Sequence, residues 1–184
     1  MNNIIVIKHF LSTNECSTIL NDCLKNLELV DAQIYGGSKL EVIPEVRKSK
    51  ISFISNMGFL NGRLENILKE KIKINGFDGT KLGDFQFTEY EVDGHFDWHV
   101  DSTKDVYPDR YYSVIILLND EYSGGELEIL EKNEKTIIEK NIGDLILFPS
   151  VYRHRVLPIL TGKRYSLVNW VSLVKTDSKK QNLL

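Results

Sequence analysis

A chain of 184 residues suits one domain at roughly 150 residues per domain. Its 42% apolar, 10% aromatic and 27% charged content is that of an average globular protein, which excludes disordered and collagen-like classes. Lys and Arg total 23 against 26 Asp and Glu, a net charge of −3 with no block of about five like charges, so the electrostatic footprint of a nucleic-acid binder is missing and nucleic acid is not an expected partner.

No apolar run approaches the length of a membrane span, so no membrane partner is expected. The first eight residues lack the charged start of a signal peptide, and the expected compartment is the cytoplasm. Ile4 to Ile7 is a β-rich run. Ser12 and Glu15 then form a capping-box pattern that opens a helix. The apolar residues Cys16, Ile19, Leu20, Cys23, Leu24 and Leu27 follow its helical period, so both cysteines are expected as small buried hydrophobes rather than as a disulfide or a zinc site. Leu60, Leu64, Ile67, Leu68 and Ile72 predict a second helix stopped by Asn75-Gly76. Between the helices, Tyr35 to Lys50 has no clear periodicity and reads as a long surface loop flanked by short strands.

From Asp84 onward the period changes to two. Strands are predicted over 85–92, 111–118, 125–131, 135–139, 144–148, 153–158 and 164–174, divided by turn signals such as Asp93-Gly94, Ser123-Gly124-Gly125 and Gly143-Asp144. Many short strands at this spacing mean a sandwich or barrel, so the expected class is mainly β with flanking helices, an α+β unit. The polar C-terminal residues 177–184 read as a flexible tail.

His99-Val100-Asp101 places an imidazole and a carboxylate on one face of an extended segment, where both can ligate one metal ion. His154 is the best third ligand. Two histidines and a carboxylate form the facial triad of non-haem iron(II), which leaves coordination positions open, whereas a structural zinc site would be closed. Against this stands the bland alternative of a chance His-x-Asp pair and a half-exposed strand histidine. Arg164, Ser166 and Val168 share a strand face, and a guanidinium buried there needs either an anionic co-substrate or an internal Asp or Glu as partner.

Taken together, the segments Gln86-Phe-Thr-Glu-Tyr90-Glu-Val-Asp-Gly94-His-Phe-Asp-Trp-His99-Val-Asp101, Gly124-Gly125-Glu126-Leu127, Gly143-Asp144 with Phe148-Pro149-Ser150, His154-x-Val156-x-Pro158, and Gly162-Lys163-Arg164-Tyr165-Ser166 with Trp170 resemble the iron(II)- and 2-oxoglutarate-dependent dioxygenases, in the prolyl-4-hydroxylase-like (PKHD-type) branch. The resemblance runs from about residue 84 to 172 with every block in order. It implies a double-stranded β-helix, or jelly roll, with N-terminal helices packed on its major sheet. The implied domain is 1–176, with helical support over 1–80 and the jelly-roll core over 84–174.

The same resemblance implies that His99, Asp101 and His154 hold Fe(II) as the catalytic centre. Arg164 and Tyr90 would bind 2-oxoglutarate, with Ser166 a further cofactor-binding residue, and Gly124, Gly125 and Trp170 would be scaffold. O2 is the oxidant and ascorbate the expected reductant. Where many relatives carry a tyrosine or threonine, Ser113 to Asn119 is nearly all aliphatic, which implies a drier co-substrate wall. The implied reaction is hydroxylation of a prolyl residue in a protein or peptide, with succinate and carbon dioxide as co-products. The alternatives are the same oxidation of a free amino acid or nucleobase, or a non-redox cupin-like metal-binding module. Substrate would pass the loop from Ser102 to Arg110 and the Tyr35–Lys50 segment. Trp98, Tyr107, Arg110 and Arg155, with Asp97 and Arg153 beside them, are the substrate-contact candidates by sequence adjacency.

Overall fold

The computed structural model describes residues 3–36, 39–72 and 77–175. The Asn75-Gly76 stop signal and the tail lie outside these residues. The first helix spans Thr13–Asn26. Its cap is reciprocal: the Glu15 N–H donates to Ser12 Oγ at 3.3 Å, and the Ser12 N–H donates to the Glu15 carboxylate at 2.9 Å. The second helix, Phe59–Lys71, starts without a side-chain cap and ends with Lys69 and Lys71 in the last turn, where cations suit the helix dipole.

The larger sheet runs in the order Ile5–Ile7, Leu145–Pro149, Tyr112–Leu117, Arg164–Lys175, Phe85–Tyr90, Lys50–Ile54 and Val30–Asp31, with Phe77–Leu82 pairing the far end of the long strand that begins at Arg164. The smaller sheet runs Glu134–Ile138, Leu127–Glu131, Arg153–Val156, His95–His99 and Arg47–Lys48. The fold is therefore mainly β with few helices. Two further pairs join Tyr122–Gly124 to Ile159–Gly162 and Ile34–Gly36 to Lys39–Glu41.

Alternation along the central strand explains its aliphatic sequence. Val114 and Ile116 belong to one buried cluster, and Ile115 and Leu117 to the other, so the strand is covered on both faces and both parities must be apolar. The first cluster joins Cys16, Ile19 and Cys23 of the first helix and Leu60, Leu64 and Leu68 of the second to Phe85, Phe87, Leu145, Leu147, Leu167 and Val171 of the sheet. The second fills the space between the sheets with Tyr90, Ile129, Phe148 and Ile159. Gly143 lets the chain pass Leu11: its φ is +80°, and a Cβ there would stand 1.9 Å from the Leu11 carbonyl oxygen.

The segment between the helices differs from the expected loop. Arg47–Lys48 extends the smaller sheet beside His95–His99, and Lys50–Ile54 joins the larger sheet beside Phe85–Tyr90. Short strands without a hydrophobic period take their structure from the partner strand, which no local pattern reveals.

Candidate active site

His99 and His154 face each other across neighbouring strands of the smaller sheet. Asp101 stands two residues beyond its strand, where its N–H donates to the Ser150 carbonyl at 2.9 Å and turns the carboxylate back toward both rings. Asp101 Oδ1 is 3.7 Å from His99 Nε2, and Oδ2 is 3.4 Å from His154 Nε2. The three ligand atoms lie within 4.8 Å of one another, a spacing that one metal ion can bridge.

Each imidazole is oriented by a backbone carbonyl. His99 Nδ1 is 2.8 Å from the Asp97 carbonyl oxygen, and His154 Nδ1 is 2.9 Å from that of Tyr152. A hydrogen bond there requires the proton on Nδ1, which leaves both Nε2 lone pairs free for a metal. Phe96 stacks on the His99 ring with centroids 3.4 Å apart, and Phe148 meets His154 edge-on at 4.8 Å. Burial, reinforced by His154 and opposed by Asp101, pushes the His99 pKa down to about 3, so the ring is neutral as a ligand must be. Burial alone would raise the Asp101 carboxyl, but His154, His99, the Ser113 hydroxyl and the Trp170 indole together hold it below the ordinary range. Ser113 Oγ donates to Asp101 Oδ2 at 2.6 Å and contacts Ser150 Oγ at 2.9 Å. The serine at the head of the aliphatic run thus serves the carboxylate directly.

Arg164 lies in the interior opposite Tyr90 on the adjacent strand and is 2% exposed. Its Nη1 donates to Ser166 Oγ at 3.1 Å, and its guanidinium carbon is 5.4 Å from the Tyr90 ring centre. Nε and Nη2 are buried without a hydrogen-bond partner among the described residues. Two buried donor nitrogens on a permanent cation are costly unless an anion meets them, and a carboxylate matches that fork. Gly125 makes room beside it: a Cβ there would press within 2.3 Å of Ile159 and 3.3 Å of the Arg164 stem. The donor sets thus fit a divalent metal at one place and a carboxylate at the other.

A cavity of about 850 Å³ opens onto the metal-ligating cluster. His99, Asp101, Arg47, Phe96, Tyr107, Arg110 and Trp170 line it, together with Tyr35 and Leu40 from the paired strands above. His154, Tyr90, Arg164 and Ser166 are buried in the interior and do not line it. Tyr107 and Arg110 do, with the Arg110 guanidinium between the rings of Tyr107 at 3.7 Å and Trp170 at 3.9 Å. Tyr35 meets Tyr107 edge-on at 6.0 Å, so the two segments expected to flank the entrance touch each other.

Trp98 and Arg155, expected at the entrance by adjacency, are placed elsewhere. They lie outside the cavity lining, where Arg155 stacks on the Trp98 ring at 4.7 Å and pairs with Glu128 at 2.7 Å. Arg153 lies over the same ring at 5.8 Å, and Asp97 is exposed. The cause is the two-residue period of a strand: if His99 and His154 point inward, their neighbours Trp98 and Arg155 point outward. Sequence reasoning missed Arg47, Phe96 and Ser113. Ser113 had a signal, as the serine at the head of an aliphatic run, whereas nothing distinguished Arg47 from Lys48 and Lys50.

Residues 85–172 match the family model of the 2OG-Fe(II) oxygenase superfamily. A PKHD-type hydroxylase of Psychrobacter sp. is 34% identical over 106 residues, which are 53% of this chain and 41% of that protein, so the chain spans well under two thirds of this relative's length. A PKHD-type hydroxylase of Crocosphaera subtropica is 27% identical over 190 residues, covering 98% of this chain and 83% of that one. Among solved structures, a Trichoplax adhaerens prolyl hydroxylase in complex with a hypoxia inducible factor degradation-domain peptide shares the fold, with a TM-score of 0.76 at 20% identity over 94% of this chain and 84% of its own. With the triad geometry and the ordered motifs, these matches support a 2OG-Fe(II) oxygenase, similar to the PKHD-type hydroxylases.

Proposed function

We propose that this chain is a 2-oxoglutarate-dependent dioxygenase that hydroxylates a prolyl residue in a protein or peptide, acting as one domain over 1–176. The observation that supports this most directly is the pairing of three converging ligand atoms with a buried guanidinium whose donors lack a partner among the described residues. A cupin-like module that only binds metal gives Arg164 no task.

In this reading His99, Asp101 and His154 hold the metal. Arg164 receives the distal carboxylate of 2-oxoglutarate, with Ser166 and Tyr90 beside it. Bound iron(II) would supply the activation of O2 that decarboxylates 2-oxoglutarate, so that one oxygen atom enters succinate and the other converts a substrate C–H to C–OH, with carbon dioxide released. The chain's own part is geometric and electrostatic. The Asp97 and Tyr152 carbonyls fix the two imidazoles, and Ser113 fixes the carboxylate. Phe96, Phe148 and the aliphatic interior keep water from the reacting atoms. Tyr107 and Arg110 belong to the substrate cavity. Ascorbate serves as the reductant that keeps iron ferrous.

Relatives named as prolyl hydroxylases, one of them bound to a peptide, support the prolyl substrate. Mass spectrometry of Pro-containing peptides after incubation with iron(II), 2-oxoglutarate, ascorbate and O2 tests it. The expected product carries one added oxygen on proline, formed in step with succinate. Steady 2-oxoglutarate consumption without oxygen addition across a broad peptide set would refute the prolyl assignment.

A further inference from the structure

Arg47 stands in the cavity wall and is only 8% exposed. Its Nε donates to Ser49 Oγ at 2.9 Å, and its guanidinium lies 4.6 Å from the centre of the Phe96 ring, whose plane stacks on His99. Asp101 acts on it only at longer range, and among the described residues no carboxylate reaches it within ion-pair distance. Arg110, in the same wall, has aromatic faces on both sides and likewise no carboxylate at ion-pair distance among those residues. Asp31, the other carboxylate lining the cavity, is exposed.

A guanidinium stays charged at any physiological pH, so its burial without an anion costs stability that a bound anion restores. Among the described residues the other buried arginine, Arg164, is assigned to 2-oxoglutarate above. The single negative charge of Asp101 acts at longer range on both Arg47 and Arg110, and Asp109 acts on Arg110 as well, so Arg47 has no carboxylate of its own among the described residues.

We infer that the substrate presents a carboxylate to Arg47, with Arg110 as a second cationic contact in the same cavity. This inference rests on the dioxygenase reading and narrows its substrate class. The carboxylate comes either from a free α-carboxylate on the hydroxylated residue or from an acidic side chain next to it. A neutral prolyl segment would leave Arg47 unmatched.

Calorimetric titration of the whole protein, with 2-oxoglutarate present, separates these sources. One pair of probes is N-acetyl-L-proline against N-acetyl-L-prolinamide, and the other is acetyl-Glu-Pro-amide against acetyl-Gln-Pro-amide. At least one acid should bind about tenfold or more tightly than its neutral twin, the size of a charge-assisted contact. The first pair reports a free carboxylate and the second an acidic side chain. Arg47→Gln should erase the preference, and Arg47→Lys should keep part of it. If Arg47→Gln does not fold, the wild-type acid-against-amide ratios and the Lys variant still decide. Equal binding within both pairs, no binding of either acid at millimolar concentration, or a preference that survives Arg47→Gln overturns the inference. Consumption of 2-oxoglutarate, followed separately, distinguishes the two failures. Turnover without acid preference removes only the carboxylate assignment, and acid preference without turnover removes the dioxygenase reading.

Discussion

The two faces of the smaller sheet differ in how their charged groups are paired. On the inner face, His99 and His154 surround Asp101, while farther into the interior Arg164 holds donors that have no partner among the described residues. On the outer face one residue away, Glu128 is matched by Arg155 at 2.7 Å and Lys135 at 2.9 Å, and Trp98 covers the arginine. The lesson concerns pairing rather than burial. Glu128 and Arg164 are both buried, but Glu128 is met by two cations within the chain, whereas Arg164 Nε and Nη2 have no hydrogen-bond partner among the described residues.

The largest break in this contrast comes from the inner face. His154→Ala should lower metal affinity and 2-oxoglutarate turnover by more than about 100-fold, measured by metal titration and succinate formation. Arg164→Ala should weaken 2-oxoglutarate binding by about 10- to 100-fold, the size of lost hydrogen bonds to a charged group. Its melting temperature should stay level or rise, because a buried unpaired cation is removed. Thermal melts would check that sign. Ser113→Ala should cost about tenfold in metal affinity, since it only orients Asp101.

Effects on the outer face should appear in stability instead. Burial alone would raise the Glu128 carboxyl, but Lys135 and Arg155 hold it below the ordinary value of 4.5. A depressed folded-state pKa contributes stability above the unfolded value that is lost as pH falls through the folded one. Melting temperature should therefore drop below about pH 4.5 more steeply in wild type than in Glu128→Gln, and the variant should cost about 1 kcal/mol near neutral pH. Smallest of all, Trp98→Ala and Arg155→Ala should leave turnover within about twofold, since neither side chain lines the cavity. A tenfold loss of turnover in either would erase the distinction between the faces.

Much of the site was legible where one residue carried its own signal. His99 and Asp101 were legible as a pair, Arg164 and Ser166 as a strand face, and Ser12 and Glu15 as a helix cap. Trp98 and Arg155 lie outside the cavity lining because adjacency along a strand means opposite faces, and the direction of each face is set by sheet packing. Arg47 was hidden for a different reason. Its strand is short, has no apolar period and forms only against His95–His99, so its burial is a tertiary fact. Ser113 sat in plain view, yet its role depends on a carboxylate twelve residues earlier that a bend turns back toward it.

The most direct test of the account is succinate formation from 2-oxoglutarate, followed by NMR with iron(II), ascorbate and O2, in wild type, His99→Ala and Arg164→Ala. Turnover that requires both residues, which stand at separate places in the fold, is the predicted result. Turnover that persists at the wild-type rate in either variant would contradict the claim that the inner face holds the metal and the buried guanidinium holds the co-substrate.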